Sequence, residues 1–247
     1  MYLKTQALVL RVTDYNDRDA LLTVLTPNYG KLTVKARGLR RKNSPLIAPC
    51  QLLAFGEFTL FEYKGSYTVN EAASIELFQP LRKDLSKLSL GTYFAQVAEL
   101  ICQEDLPNPE LLSLVLNCLH ALSRLNEPER KVKAVFELRC ACLAGFLPDL
   151  SSCHVCSAEL PDRFDISAGM LECSRCRSPY SNGLRMPINA GMLQAMRYIC
   201  MCDPKKLFGF ELGEENLIHL SSLTESYLST QLERGFSALD FYKSLLL

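Results

Sequence analysis

The sequence predicts an α+β chain: a small closed β-barrel at the N-terminus, then an α-helical domain into which a four-cysteine module is inserted. Three observations predict it. Apolar residues alternate between residues 6 and 74, and they recur at helical spacing after Pro80. Two CxxC pairs fall between residues 150 and 183, where both periodicities stop.

The alternating region divides into five strands near residues 6–13, 20–26, 31–37, 52–63 and 67–74. Turn signals at Pro27-Asn28-Tyr29-Gly30 and Lys64-Gly65 separate them. Five strands in so short a stretch suggest a barrel, because closure removes exposed strand edges. After Pro80, Leu90, Phe94, Val97 and Ile101 lie on one helical face. Leu112, Val115, Leu116 and Leu119 repeat the pattern behind an Asn108-Pro109 start signal. A third helix from about Glu129 puts Val132, Phe136, Cys140 and Leu143 on one face and stops near Gly145, with Pro148 beyond. Helical signals return at Asn189, Met192, Met196 and Ile199 and again from Glu214 to Gln231. The domain boundaries that follow are 1–79 for the barrel, 80–149 with 184–247 for the helical domain, and 150–183 for the inserted module.

With 247 residues and an apolar share of 48%, the chain can bury a core divided between two or three units. Its 27 basic and 27 acidic residues cancel, so local clusters carry any electrostatic argument. Eleven cysteines are an odd number in a chain too large to need stapling, which fits a reducing cytosol. The apolar run at residues 7–10 is too brief for a signal-peptide core and far short of a membrane span, so a soluble cytoplasmic protein is expected.

Cys153-His154-Val155-Cys156, sixteen residues, then Cys173-Ser174-Arg175-Cys176 has the spacing of a four-cysteine zinc site. Two residues between paired cysteines let both sulfurs of a knuckle face one tetrahedral ion, and thiolates are ligands that zinc accepts. Four thiolates leave no open position for a reacting water, so one structural Zn2+ is expected on Cys153, Cys156, Cys173 and Cys176. Arg163, Arg175, Arg177 and Arg185 are placed to screen the thiolates. Two other readings compete: thiol redox work by one CxxC pair, which lacks the accompanying βαβ pattern, and ligation by His154. The remaining seven cysteines read as small buried hydrophobes, and Cys200-Met201-Cys202 as core and loop.

Between residues 31 and 42 there are six basic residues and no acidic one: Lys31, Lys35, Arg37, Arg40, Arg41 and Lys42. Strand alternation sends Leu32, Val34 and Ala36 inward and Lys31, Lys35 and Arg37 outward, and side chains two positions apart on a strand are about 7 Å apart. Such a row suits successive phosphates of a nucleic acid; a solvated, solubilising edge is the other reading. Tyr15, Tyr29, Phe61, Tyr63 and Tyr67 in the same region could serve as stacking platforms, although Phe61 and Tyr63, on a strand face with Phe55, read first as core or barrel-end residues.

Three segments resemble a known family, the bacterial RecO recombination mediators. The first is Arg11-Val12-Thr13-Asp14-Tyr15-Asn16-Asp17-Arg18-Asp19 with Leu22-Thr23-Val24-Leu25-Thr26. The second is Gly30-Lys31-Leu32-Thr33-Val34-Lys35-Ala36-Arg37-Gly38 with Arg40-Arg41, and the third Phe136-Glu137-Leu138-Arg139 with Gly145-Phe146-Leu147-Pro148-Asp149-Leu150 and the first cysteine pair. The resemblance implies an OB-fold barrel, binding of single- and double-stranded DNA, strand annealing, and loading of recombinase onto DNA coated by single-stranded-DNA-binding protein (SSB). Implied partners are RecR, the RecF pathway proteins and the acidic C-terminal tail of SSB, for which Arg130, Lys131, Lys133 and Arg139 form a candidate cationic rim. Residence in the cytoplasm, on the nucleoid when DNA-bound, follows from the same likeness.

No covalent chemistry is expected. His120, His154 and His219 are far apart in sequence, and no phosphate-binding glycine loop or nucleophile elbow is present. The alternatives are a zinc-containing nucleic-acid-processing enzyme and a zinc-dependent DNA-binding regulator, the latter without a visible helix-turn-helix.

Overall fold

In the computed structural model, which describes residues 1–125, 127–176 and 183–246, five strands open the chain. They are β1 (Tyr2–Asp14), β2 (Ala20–Thr26), β3 (Gly30–Ala36), β4 (Phe55–Tyr63) and β5 (Ser66–Glu76), and they close into a barrel of order β1-β2-β3-β5-β4. The first half of β1 pairs with β4, from Tyr2↔Phe61 to Leu8↔Phe55. A register shift between Val9 and Arg11 then turns the strand onto β2, so one long strand serves two neighbours. A short parallel pairing of Val34 and Lys35 with Tyr67 and Thr68 closes the ring. Alternation fills the interior: Leu32, Val34 and Ala36 of β3 point in with Leu22, Val24, Phe58 and Leu60.

Phe61 and Tyr63 do not join that core. They are 40% and 61% exposed, because the inward phase of β4 belongs to Gly56, Phe58 and Leu60; Phe61 instead meets Tyr2 on the outer surface, ring centroids 5.4 Å apart. Tyr29 and Tyr67 pack against the core edge. Gly30 sits at φ +61° where the β2–β3 turn runs against the chain after the first helix; a side chain there would strike the Leu106 carbonyl and come within 2.7 Å of the Gln103 carbonyl.

The α-helices among the described residues are α1 (Leu85–Ile101), α2 (Pro109–His120), α3 (Glu129–Leu143), α4 (Ala190–Met201), α5 (Glu214–Gln231) and α6 (Ser237–Ser244). Asn108 caps α2 by accepting from Leu111 N–H at 3.0 Å, with Pro109 at the first helical position, as the sequence signal requires. Asn189 caps α4 in the same way through Met192 N–H at 2.9 Å. No described helix is long and apolar enough to cross a membrane.

By internal contacts the chain divides into two units, Met1–Asn126 with Phe236–Leu247, and Glu127–Gly235. In the first, α1, α2 and α6 group with the barrel; Tyr93 of α1 meets Phe236 edge-on at 5.4 Å, and Gln96 bonds both Ser237 and Ala238. The second unit is built around α3, on which every residue from Lys131 to Leu138 is buried. Its four-stranded sheet, order β6-β8-β7-β9, comprises β6 (Asp149–Cys153), β7 (Arg163–Asp165), β8 (Met170–Glu172) and β9 (Arg185–Pro187).

Candidate nucleic-acid interface and candidate metal centre

The basic loop leaves β3 at Ala36 and returns to β4 at Phe55. Leu39, Leu46 and Cys50 anchor it by entering the barrel core, where burial pushes the Cys50 thiol up to about 12. The β1–β2 turn clamps its first residues. Asp19 Oδ1 accepts from Gly38 N–H at 2.9 Å, and Arg40 N–H donates to the Arg18 carbonyl at 3.1 Å. Sheet pairing is the reason: Asp14 faces Ala20 and Ala20 faces Ala36, so the acidic turn lies beside the start of the loop.

The six basic residues are therefore not equivalent. Lys31 Nζ donates to the Glu99 carbonyl of α1 at 3.0 Å. Lys35 pairs with Asp19 at 3.3 Å and stands 4.4 Å above the centre of the Tyr15 ring. Arg40 pairs with Asp14 at 3.0 Å. Arg37, Arg41 and Lys42 are exposed, and Arg37 and Arg41 line an open cleft of about 530 Å³ whose far wall is Val69, Asn70, Glu71 and Ala72 of β5. Sequence reading placed the cations and missed both their acidic partners and this wall, since neither lies within the basic run.

In the second unit, the two cysteine knuckles meet because β6 pairs in parallel with β8, Cys153 opposite Leu171. Ser157 N–H bonds the Cys153 carbonyl at 2.8 Å and Cys176 N–H the Cys173 carbonyl at 2.9 Å, which curls each knuckle. The four sulfurs all lie within 4.8 Å of one another. Cys156 Sγ and Cys173 Sγ are 3.8 Å apart, close to the edge of a sulfur tetrahedron drawn around an ion at about 2.3 Å from each ligand. Burial opposes ionisation of Cys153, but N–H groups of Cys156, Val155 and Cys173 and the Cys156 thiol outweigh it and bring its thiol down to about 6. Cys173 is pushed up to about 12 by burial and by Cys153 and Cys156. Cys176 rises to about 11 through Cys156, burial and Cys153. Thiols this close resist joint ionisation without a cation among them, so the donor set fits a metal ion.

His154 takes no part in that set. Its Nδ1–H donates to the Leu171 carbonyl at 2.9 Å, beside its own backbone N–H on the same oxygen at 3.0 Å. Arg185 is buried against Glu172 and lies 3.7 Å from Asp165, so its charge answers carboxylates. Arg177 lies outside the described residues. The module is held from outside by Arg197 of α4, which donates to the Leu150 and Ser151 carbonyls at 2.7 Å each, and by Tyr227 of α5, edge-on to Phe164 at 5.3 Å.

The four cations of α3 are not gathered on one exposed face. Lys131 and Lys133 are 6% and 2% exposed. Lys131 pairs with Glu127 at 2.9 Å and stands 5.1 Å from the centre of the Phe210 ring. Lys133 pairs with Glu137 at 2.9 Å and Glu225 at 2.8 Å and donates to the Ser221 carbonyl at 3.0 Å. Arg139 donates to the Cys200 and Ile199 carbonyls at the end of α4, at 2.7 and 3.3 Å. Arg130 is half-buried.

A closed five-strand barrel of OB-fold type, helices, and a four-cysteine module able to hold a metal ion define the class of this protein. Residues 1–78 match the family model described as Recombination protein O N terminal, and residues 82–240 the one described as Recombination protein O C terminal. The chain belongs to the RecO family of DNA repair proteins. It is 34% identical to the DNA repair protein RecO of Acetivibrio thermocellus over 99% of this chain and 97% of that one. The RecO of Alkaliphilus metalliredigens is 28% identical over 99% and 100%, and that of Bacillus subtilis 27% identical over 92% and 88%.

Proposed function

We propose that the protein is a non-enzymatic recombination mediator of the RecF pathway, which binds single- and double-stranded DNA, anneals complementary strands and helps load recombinase onto SSB-coated DNA. The observation that carries this reading is the cleft beneath Arg37 and Arg41, with Lys42 beside it, on the barrel of a RecO family chain. Phosphates on these cations release counterions, and with their charge neutralised two strands approach despite mutual repulsion. Lys35 and Arg40 join them by exchanging Asp19 and Asp14 for phosphate, and Lys31 orders the edge of the strand. The barrel at 1–79 is the DNA-binding part. The helical domain, 80–149 with 184–247, takes up RecR and the SSB tail, with Arg130 and Arg139 as the more accessible of its four proposed contacts. The metal in the 150–183 module is one structural Zn2+, held by Cys153, Cys156, Cys173 and Cys176. The working place is the cytoplasm, on the nucleoid when DNA is bound.

Annealing of complementary oligonucleotides, with and without SSB and without any nucleotide, tests this reading. Accelerated annealing of both bare and SSB-coated strands is expected. A protein that leaves the uncatalysed rate unchanged, or that cleaves the strands, refutes it.

A further inference from the structure

The DNA-binding reading leaves unused a pair of thiols at the junction of α3 and α4. Cys142 lies in the last turn of α3 and Cys200 in the last turn of α4, fifty-eight positions apart in sequence, with their sulfurs 3.7 Å apart. Both are partly accessible, whereas Cys50, Cys102, Cys118 and Cys140 are buried. We propose that Cys142 and Cys200 form a peroxide-sensitive dithiol that closes to a disulfide, a modification site separate from the four-cysteine metal module.

Two independent features favour closure. A disulfide needs about 2.0 Å between sulfurs, and the two thiols already face each other across one helix junction. Arg139, one turn before Cys142, reaches across that junction to the Cys200 carbonyl at 2.7 Å and so sets a fixed cation beside the pair. The Cys200 thiol lowers the Cys142 thiol, burial opposes this, and Arg139 adds to the lowering; Cys200 itself is raised, first by Cys142. With the Arg139 cation one turn before it on the same helix, Cys142 is assigned as the nucleophile and Cys200 as the thiol that keeps its proton until the second step, an order that the trapping arms below decide.

Cys142 thiolate attacks one peroxide oxygen, the O–O bond breaks, and the departing hydroxide takes a proton to become water, leaving Cys142 as sulfenic acid. Cys200 sulfur attacks the sulfenic sulfur. The S–S bond forms, the S–O bond breaks, and the hydroxide leaves with the Cys200 proton as a second water. Two thiols are oxidised by two electrons and one hydrogen peroxide is reduced to two waters. The bond clips together the two ends of the segment that carries the metal module, a link that needs no metal.

The test treats the intact, metal-loaded protein with one equivalent of hydrogen peroxide, alkylates it without reduction and maps the cysteines by peptide mass spectrometry. The expected product is one linked peptide pair, Cys142 with Cys200, lighter by two hydrogens, while metal stays bound. In Cys200→Ser a sulfenic-acid trap such as dimedone should label Cys142; in Cys142→Ser it should not label Cys200. Recovery of both cysteines as alkylated thiols, or linkage of either to Cys202 or to a metal-module cysteine, overturns the proposal. The unmutated protein's map decides the question even if a serine variant fails to fold.

Discussion

Asp19 decides how much charge the basic loop can offer. One carboxylate oxygen accepts from Gly38 N–H and the other faces Lys35, so the same side chain shapes the loop and neutralises one of its cations. Asp19→Asn keeps an acceptor for Gly38 and releases Lys35. DNA affinity at low salt should rise, because Lys35 then reaches phosphate without giving up an ion pair, while the slope of log affinity against log salt, set by the number of phosphates contacted, should stay the same. Fluorescence anisotropy over a salt series reads both. By the same measurement Arg41→Ala should flatten the slope by about 0.7, whereas Lys31→Ala, bonded to the α1 backbone, should lower thermal stability and leave the slope unchanged. The Asp19 carboxyl is held below the ordinary 3.8 by Gly38 N–H, the Asn16 amide and Lys35. A depressed carboxyl contributes stability above its unfolded value and loses it as pH falls through the folded one, so this clamp releases only below pH 3.8 and DNA binding at neutral pH does not sense it. All six cations were legible in the sequence. Their pairing was not, because Asp14 and Asp19 stand on the far side of β2 and become neighbours of the loop only when β1, β2 and β3 pair.

Among the elements, α3 shows where reading by pattern stops. Its apolar face was legible in Val132, Phe136 and Cys140, as was the Asn108-Pro109 start of α2 and the full extent of α5. Periodicity assigns lysine to solvent, however, and α3 is enclosed on all sides, so Lys133 is buried with Glu137, Glu225 and Thr224. Removing one member leaves an uncompensated buried charge. Lys133→Met should therefore cost about 3–5 kcal/mol in urea unfolding of the second unit, and Glu137→Gln on top of it should recover part of the loss. Burial raises the Glu137 carboxyl, against the pull of Lys133 and Thr224. A carboxyl raised in the folded state contributes stability that is present below its unfolded value and lost as pH rises through the folded one. Without Lys133 the shift grows, so the deficit of Lys133→Met should shrink between pH 8 and pH 5; a constant deficit would show that Glu137 does not carry it. Short elements escaped for a different reason. The strands of the cysteine module are three to five residues long, and α6 spans eight, with Phe236, Leu239 and Tyr242 as a single repeat of its buried face; neither gives periodicity enough cycles to register.

For the molecule as a whole, the question is what a metal ion held by the four cysteines would support. Among the described residues between β6 and β9, Phe164, Ile166 and Leu171 are the fully buried large apolar side chains, worth roughly 1.5–3 kcal/mol each when removed from water. Metal binding, worth roughly 10–16 kcal/mol for a zinc-finger peptide, is larger than what those three side chains supply together. The barrel has no such dependence, since its buried cluster draws only on residues between Leu3 and Val69. Chelation, or Cys153→Ser, should thus expose residues 149–187 to fast amide exchange while β1 to β5 stay protected, and anisotropy should still report DNA binding with its salt slope intact. Protection that survives metal removal in 149–187 would make the ion dispensable to folding. DNA affinity lost from a barrel that remains protected would bring the metal module into the binding surface, and the division between a DNA-binding barrel and a metal-scaffolded second unit would fall.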